Sequence, residues 1–245
     1  MRMKSIAQCP CCNSSTSRRP MKSLNDNTPM TPHAQRVGAV LLAAGSASRM
    51  GRQPKCLLQL DGASLMERQI SALLAAGVTD IVVVLGHYAA AIGAVLQHLP
   101  VRVVHNPKPD AGQASSLRTG LAAHEPHQFD AYYIGLADQP LIGPDEITAL
   151  LAAHQQRPAG CEFTQPWVDG LPGNPVVFTP QVRRDLLQAT GEWGGRQWQQ
   201  AHADQVFRWA TVNPHYRIDL DSPEDLQAFT LRTGRALHWP APAAS

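Results

Sequence analysis

Short apolar runs alternate with segments of helical periodicity along most of the chain. The apolar runs predict buried strands at residues 37–42, 80–85, 101–104 and 131–136. The segments after them, in which apolar positions recur every three or four residues, predict helices at residues 64–76, 87–99, 114–124 and 144–155. This alternation is typical of βαβ units, whose strands pair in parallel and are covered by helices on both faces. The pattern therefore predicts an α/β fold with a doubly wound, mostly parallel sheet in a single domain.

Capping residues support the helix boundaries. Ser64 and Glu67 have the spacing of a capping box, and Gly77 follows the same helix as a C-terminal stop. Near the end of the chain, Ser222 and Pro223 have the N-cap and first-turn positions of a closing helix at residues 222–231.

The segments outside this pattern are predicted separately. Residues 175–178 and 206–212 are predicted to form two further strands, the second a candidate antiparallel strand.

Residues 1–36 show no apolar period and are rich in Ser, Thr, Asn and Pro. This composition favours a disordered extension over a transit peptide, and translation starting at Met21 or Met30 is an alternative. A single folded domain is expected at 37–232, followed by a Pro- and Ala-rich tail at 233–245.

Composition excludes several classes of function. The 245 residues carry a formal net charge of +2, and 6% of them are aromatic. A dedicated nucleic-acid binder usually has a larger basic surplus. No apolar run is long enough to cross a bilayer. Of five cysteines, three cluster near the N-terminus without a second pair at zinc-ligand spacing, so reduced thiols in a cytoplasm are the expectation.

The loop after the first strand has the residues of a phosphate-binding site. Small residues at the carboxyl end of a strand allow backbone N–H groups to approach an anion. Arg49 and Lys55 add positive charge. The expected nucleotide-binding residues of this loop are Leu42, Ala43, Ala44, Gly45, Arg49, Gly51 and Lys55.

Other interpretations of this loop fit less well. A P-loop requires Gly-Lys-Ser/Thr, whereas Gly51 is followed by Arg52 and Gln53. A dinucleotide fingerprint is broken at Ala47 and Met50, which also disfavours a Rossmann oxidoreductase. A plain strand-to-helix turn with surface charges remains the alternative.

Residues 37–58 resemble the MobA-like NTP transferases, and more narrowly the molybdenum cofactor cytidylyltransferases. The resemblance extends to about residue 230. It is carried further by Asn106-Pro107, Gly112-Gln113-Ala114-Ser115-Ser116, Leu136-Ala137-Asp138-Gln139-Pro140, Gly173-Asn174-Pro175, Gly191-Glu192-Trp193-Gly194-Gly195-Arg196 and Asp219-Leu220-Asp221-Ser222-Pro223. The sequence departs from the family pattern at Ala47, where Gly or Ser is frequent, at an additional Gln53, and at Asn174, where His is frequent. The resemblance implies a Rossmann-like nucleotidyltransferase fold.

The resemblance also implies a magnesium site formed by Asp138 and Asp221. Mg²⁺ prefers one or two carboxylates together with phosphate oxygens and water. Taken without the resemblance, the residues favour a turn role for Asp138 and a helix-cap partner role for Asp221, because Asp is common in turns and caps. Asp219 is a weaker metal candidate, and Asp225 is expected to complement the dipole of the closing helix.

The sequence allows two roles for Ser115, Ser116 and Arg118, and predicts a structural role for several histidines and tryptophans. Ser115 and Ser116 begin a predicted helix, where they either bind the nucleotide or cap the helix. Arg118 faces either phosphate or solvent. The remaining residues, which we expect to be structural, are His87, His105, His215, Trp193 and Trp198.

The resemblance implies transfer of a nucleotidyl group, with CMP from CTP favoured, to a phosphorylated acceptor such as molybdopterin. Lys55, Arg49 and Asp138 are the expected catalytic residues, and no general base is required because a phosphate monoester is already anionic. A molybdoenzyme or a chaperone is the expected protein partner. The alternatives are guanylyl transfer, transfer to a sugar phosphate, and a non-catalytic protein that delivers a pterin cofactor.

Overall fold

The computed structural model describes residues 35–48 and 50–241. The strands are β1 Val37–Ala43, β2 Gln59–Leu60, β3 Ala63–Ser64, β4 Asp80–Leu85, β5 Arg102–His105, β6 Ala131–Leu136, β7 Phe163–Val168, β8 Leu171–Pro172, β9 Val176–Phe178 and β10 Val206–Ala210. The helices are α1 Leu65–Ala75, α2 Ala89–Leu96, α3 Gln113–Ala122, α4 Pro144–Gln155, α5 Pro180–Gln188, α6 Gly195–Ala201 and α7 Pro223–Thr233. No helix in these two ranges has the length and apolarity needed to cross a membrane.

The main sheet has the strand order β10-β7-β9-β6-β1-β4-β5, with β8 paired to β7. β1 lies between β4 and β6 and is parallel to both. The chain winds from β1 through β4 to β5, then returns across β1 to form β6. This reversal creates a crevice at the carboxyl ends of β1 and β6, the place where ligands bind in open α/β sheets. The doubly wound, mostly parallel sheet predicted from the sequence is confirmed.

Side chains on the two faces of β1 enter separate cores. Ala39 and Leu41 pack with α1 and α4, whereas Val40 packs toward α3 and α5. A strand buried on both faces requires the continuous apolar run seen in the sequence. On the second face α3 approaches the sheet closely, because Gly120 presents no side chain to Val40.

A third apolar cluster lies beside the crevice. Met50 packs there with Leu58, Leu60, Leu65, Leu220 and Phe229. Leu237 and Trp239 cover this cluster, and His238 pairs with Gln59 through two backbone hydrogen bonds of 2.8 and 3.0 Å. Part of the segment expected as a tail therefore packs on the domain.

Most predicted elements are present, and three differences have physical causes. The strand at 206–210 runs parallel to β7, so its expected antiparallel direction is wrong; the antiparallel strands of the main sheet are β8 and β9. β7 was not predicted, because its buried residues include Thr164 and Gln165 and its sequence contains Pro166. α6 was not predicted either, because Trp198 is its single fully covered side chain, and α5 is a further helix that was not predicted.

The predicted cap of α1 is confirmed. The Ser64 hydroxyl accepts a hydrogen bond from the backbone N–H of Glu67, and the Glu67 carboxylate accepts one from the N–H of Ser64. Gly77 follows with a φ of 82°.

Candidate active site

A cleft of about 610 Å³ opens at the crevice between the carboxyl ends of β1 and β6. Its walls include the loop at residues 42–48, Lys55, Asp138, Asp219 and Asp221. The expected loop residues Leu42, Ala43, Ala44 and Gly45 all line it. Gly51 does not, and Arg49 lies outside the described residues.

The loop turns back on itself between Ala47 and Arg52. The N–H groups of Met50 and Arg52 both donate to the carbonyl oxygen of Ala47, at 3.0 and 3.2 Å. Ala47 has a φ of 48° and Gly51 a φ of 62°, a region that favours glycine. The buried Met50 side chain fixes the turn to the third cluster. Gly51 therefore shapes the turn.

Two residues after β4 hold the loop in place. The Tyr88 hydroxyl donates to the carbonyl oxygen of Ser46 at 2.7 Å. Gly86 allows the loop to approach, because a Cβ atom there would lie 2.6 Å from the carbonyl oxygen of Ala44. Sequence reasoning did not identify Tyr88 or Gly86 as site residues. Only the position of Gly86 directly after a strand could have indicated a close backbone approach.

Lys55 lies at the centre of the charged wall. It begins a short 3-10 helix after Pro54, and its Nζ atom lies 2.6 Å from Asp138 Oδ2 and 2.7 Å from Asp221 Oδ1. Burial by itself lowers the pKa of this ammonium, but the charges and hydrogen bonds of the two carboxylates outweigh burial and raise it. Lys55 is therefore a stable cation in the cleft.

The two aspartates come from distant parts of the chain. Asp138 follows β6, and Asp221 precedes α7, where its backbone N–H donates to Asp225. Ser222 is the N-cap of α7 and Asp225 completes its capping box, so Asp221 is not the cap residue. Asp219 lies near both: the pKa of its carboxyl is raised by partial burial and then by the charges of Asp221 and Asp138.

The donor set fits a magnesium-type cation. Asp138 Oδ1 is buried and makes no hydrogen bond with the described residues, so one carboxylate oxygen is available to a cation. Among residues 35–48 and 50–241, no group of three or more His, Cys, Asp or Glu side chains is arranged to hold a metal ion by itself. A hard cation held by two carboxylates, phosphate oxygens and water agrees with both observations.

The N-terminus of α3 forms the opposite wall. Its N-cap is Gly112, with a φ of 83°, and no side chain caps the helix. Ser116 lines the cleft and accepts a hydrogen bond from Asn106 Nδ2 at 3.0 Å. Ser115 donates to Asn106 Oδ1 at 3.1 Å and does not line the cleft. The structure thus places Ser116 at the site and Ser115 behind it.

Arg118 is half-buried and does not line the cleft. Its guanidinium donates to the carbonyl oxygens of Trp193 and Gly191, at 2.9 and 2.6 Å. These bonds tie α3 to the loop before α6. Trp198 is fully buried and Trp193 packs beside the same core, as expected for structural residues.

The three histidines have separate environments. His87 lines the cleft, with Nε2 lying 3.2 Å from Asp110 Oδ1. His215 pairs with Glu146 at 2.8 Å, and His105 is exposed at the edge of the sheet. His87 is the one histidine of the three that the structure brings to the cleft.

A second cavity of about 900 Å³ continues from the cleft across the sheet face beneath α6. The two cavities share Leu42, Gly112, Gln113 and Leu136. The cleft thus combines a loop of small residues, a fixed ammonium and paired carboxylates. This combination can bind a polyphosphate together with a divalent cation.

Comparison with known proteins gives the family. Residues 39–206 match the MobA-like NTP transferase domain. Nicotine blue oxidoreductase of Paenarthrobacter nicotinovorans is 37% identical over 119 residues, and CMP-5'-(3-aminopropyl)phosphonate synthase of Streptomyces rubellomurinus is 28% identical over 162 residues. These matches cover 49% and 60% of this chain, but 57% and 26% of the two relatives, so the chain spans less than two thirds of either.

Comparison with solved structures identifies proteins of the same fold. A nucleotidyl transferase from Methanothermobacter thermautotroptrophicus superposes with a TM-score of 0.66 and 25% identity, covering 82% of this chain and 100% of the other. The matched range includes the loop at residues 42–48, Lys55 and Asp138, whereas Asp219 and Asp221 lie beyond its end. The chain belongs to the MobA-like NTP transferase family.

Proposed function

We propose that this protein is a magnesium-dependent cytidylyltransferase that moves CMP from CTP to a phosphorylated acceptor and releases pyrophosphate. Molybdopterin is the favoured acceptor. The proposed location is the cytoplasm, which agrees with the free thiols of Cys56 and Cys161. The observation that carries the proposal is the contact of one ammonium, that of Lys55, with the carboxylates of Asp138 and Asp221 beneath the loop.

The chain's own groups account for binding of the triphosphate. Residues 44–48 line the cleft, and their backbone N–H groups would donate to phosphate oxygens. The Lys55 ammonium would move from the carboxylates to the β- and γ-phosphates and stabilise the leaving pyrophosphate. Arg49 is proposed to assist it. These groups position the triphosphate and neutralise its charge, which are the main contributions to rate acceleration in phosphoryl-type transfer.

Asp138 and Asp221 would hold Mg²⁺, which supplies charge neutralisation at the α-phosphate. The buried, unpartnered oxygen of Asp138 supports this assignment. Ser116 and the N-terminus of α3 lie across the cleft, where they would receive the base or ribose of the nucleotide. The attacking oxygen belongs to the acceptor's phosphate, which is anionic near neutral pH, so no protein base has to remove a proton.

CTP is favoured for two reasons. The loop reads Leu-Ala-Ala-Gly, the form that resembles the cytidylyl branch, and one relative is named for a CMP product. Guanylyl transfer and transfer to a sugar phosphate use the same groups and remain alternatives.

The test is pyrophosphate release by the purified full chain with Mg²⁺, molybdopterin, and each of CTP, GTP, ATP and UTP in turn. We expect release with CTP and strongly reduced release with the other three. Release with GTP alone would reject the cytidylyl assignment, and no release with any nucleotide would reject the transferase proposal for this acceptor.

A redox activity is the second candidate, because a relative named as an oxidoreductase matches nearly half of the chain. Oxidation of NADH or NADPH by the protein in the presence of a quinone-like dye would favour it. Binding of molybdopterin with neither activity would instead favour a delivery protein.

A further inference from the structure

The second cavity differs in chemistry from the phosphate cleft. Its floor is the face of the sheet formed by Ile134, Phe163, Val176 and Phe178, all of them apolar. Its charged lining residues are Arg196, Arg208 and Glu192, an excess of one positive charge. The phosphate cleft, by contrast, is lined by four aspartates and one lysine.

Strand register brings one of these arginines to the cavity. Arg208 on β10 lies opposite Gln165 on β7, and Trp167 lies two residues further along β7. Because alternate residues of a strand point to the same face, all three side chains share the cavity side of the sheet. The Arg208 guanidinium lies 4.9 Å from the centroid of the Trp167 ring.

This stack holds an exposed cation in a defined place. Arg208 makes no ion pair and no hydrogen bond with the residues at 35–48 and 50–241, and stacking on an indole leaves the N–H groups at the guanidinium edge available. Arg196, in the first turn of α6, adds a second guanidinium to the same cavity. A guanidinium with available donors is suited to bidentate contact with an anionic group such as a carboxylate or a phosphate.

We propose that Arg208, positioned by Trp167 and assisted by Arg196, selects the acceptor by its second anionic group. The inference rests on the proposed function and deepens it. The acceptor class is a flat, partly apolar phosphate ester whose negative charge extends beyond the phosphate that attacks. Its phosphate enters the cleft near Asp138, its flat body lies on the apolar floor, and its second anion contacts Arg208.

The shared boundary between the two cavities supports this placement. Leu42, Gly112, Gln113 and Leu136 line both, so a ligand can extend from one into the other without leaving the protein surface. A compact, polar acceptor would fill only the part of the second cavity next to this boundary. The apolar floor beyond this boundary, with a cation beside it, suits an extended acceptor.

The experiment measures binding, separately from turnover. The probes are molybdopterin, which combines a pterin ring, a phosphate ester and an anionic dithiolene, and inositol 1-phosphate, which has the phosphate but neither of the other features. Affinity is measured by quenching of tryptophan fluorescence in Arg208→Ala, Arg208→Lys, Trp167→Leu and wild type. Arg232→Ala, at an exposed position on α7, is the matched control. CTP affinity is measured in parallel by calorimetry.

We expect Arg208→Ala to weaken molybdopterin binding about tenfold or more, the usual size of a lost hydrogen bond to a charged group. Arg208→Lys should bind molybdopterin more tightly than Arg208→Ala but less tightly than wild type. Trp167→Leu should also bind molybdopterin less tightly than wild type. CTP affinity should be unchanged in all of these variants and in Arg232→Ala. Equal affinities of Arg208→Ala and wild type for molybdopterin, or equal affinities of wild type for the two probes, would overturn the inference.

The outcomes separate this inference from the proposed function. Pyrophosphate release that is insensitive to Arg208→Ala over the whole range of acceptor concentration leaves the transferase proposal standing and rejects the acceptor contact. Arg208-dependent binding of molybdopterin without pyrophosphate release supports the contact and rejects catalysis.

Discussion

The ammonium of Lys55 lies 2.6 Å from Oδ2 of Asp138, and the same nitrogen lies 2.7 Å from Oδ1 of Asp221. The lysine therefore lies between the two carboxylates proposed to hold the metal. Nucleotide phosphates would draw the ammonium away and supply oxygen ligands at the same time. Metal and nucleotide are then expected to bind cooperatively.

Replacement of Lys55 tests this relationship. Lys55→Met should increase the affinity of the nucleotide-free protein for Mn²⁺ about tenfold, a common size of coupling between two sites, because the competing cation is gone. The affinity for CTP should fall in the same variant. Electron paramagnetic resonance of free Mn²⁺ gives the first quantity and calorimetry the second. An unchanged Mn²⁺ affinity would show that the lysine does not compete with the metal.

Asp138 is expected to be required for turnover and dispensable for folding. Asp138→Asn keeps the shape but removes the charge, so pyrophosphate release should fall about 100-fold or more, as for loss of one preorganised electrostatic group. The thermal midpoint should remain near that of wild type. Asp204→Asn, at an exposed position outside the cleft, is the control and should keep full activity. Near-complete activity of Asp138→Asn would contradict the assignment.

Tyr88 is expected to act through the loop. Tyr88→Phe loses only the hydrogen bond to the Ser46 carbonyl, so nucleotide affinity should fall about fivefold, corresponding to a contribution of ~1 kcal/mol. The metal affinity of the nucleotide-free protein should not change, because Tyr88 does not contact the carboxylates. A parallel loss of metal affinity in this variant would indicate a general disturbance of the cleft.

Two glycines provide a matched test of packing. In Gly120→Ala the new Cβ would meet the Val40 side chain and lie 2.8 Å from Val84 Cγ2, and the expected loss of stability is about 1–3 kcal/mol. In Gly93→Ala no atom lies within 4 Å of the new Cβ, and higher helix propensity should stabilise α2 by at most ~1 kcal/mol. Urea unfolding measures both. Equal effects of the two changes would show that α3 does not approach β1 as described.

Acid should destabilise the protein through His154, which is fully buried beside Thr164. Burial, with a smaller contribution from Arg157, lowers the pKa of His154 from 6.5 to about 3. The unfolded chain therefore binds a proton that the folded chain rejects, so stability falls as the pH drops from 6.5 toward 3, by up to ~1.4 kcal/mol per pH unit.

The measurement is the urea midpoint between neutral pH and about pH 5. His154→Leu should have a shallower pH dependence than wild type, whatever its stability at neutral pH. His98→Leu, at an exposed position, should keep the wild-type slope. The pKa of His124 is also lowered, chiefly by burial. Part of the pH dependence of the urea midpoint should therefore remain in His154→Leu. Identical slopes for His154→Leu and wild type would reject this role.

The sequence by itself determined the elements whose periodicity is local. β4, β6 and α4 have the boundaries that the apolar pattern and the flanking residues predict, because burial of both faces of a strand requires an uninterrupted apolar run. The same pattern placed the small-residue loop at a strand end, and it placed Asp138 and Asp221 next to the termini of β6 and α7. The predicted domain limits at 37–232 remain a prediction, and the Cys-rich segment before them lies outside the described residues.

Only the tertiary structure decided which of these residues meet. Lys55 and Asp221 are 166 positions apart, and the periodicity of neither segment carries information about the other. Arg118 binds two carbonyl groups of the loop before α6, and Tyr88 binds the loop after β1, through contacts set by how α3 and β4 pack. The direction of β10 was likewise fixed by its pairing with β7. Such contacts form between segments brought together by burial of apolar faces, so their partners are specified by the complete fold.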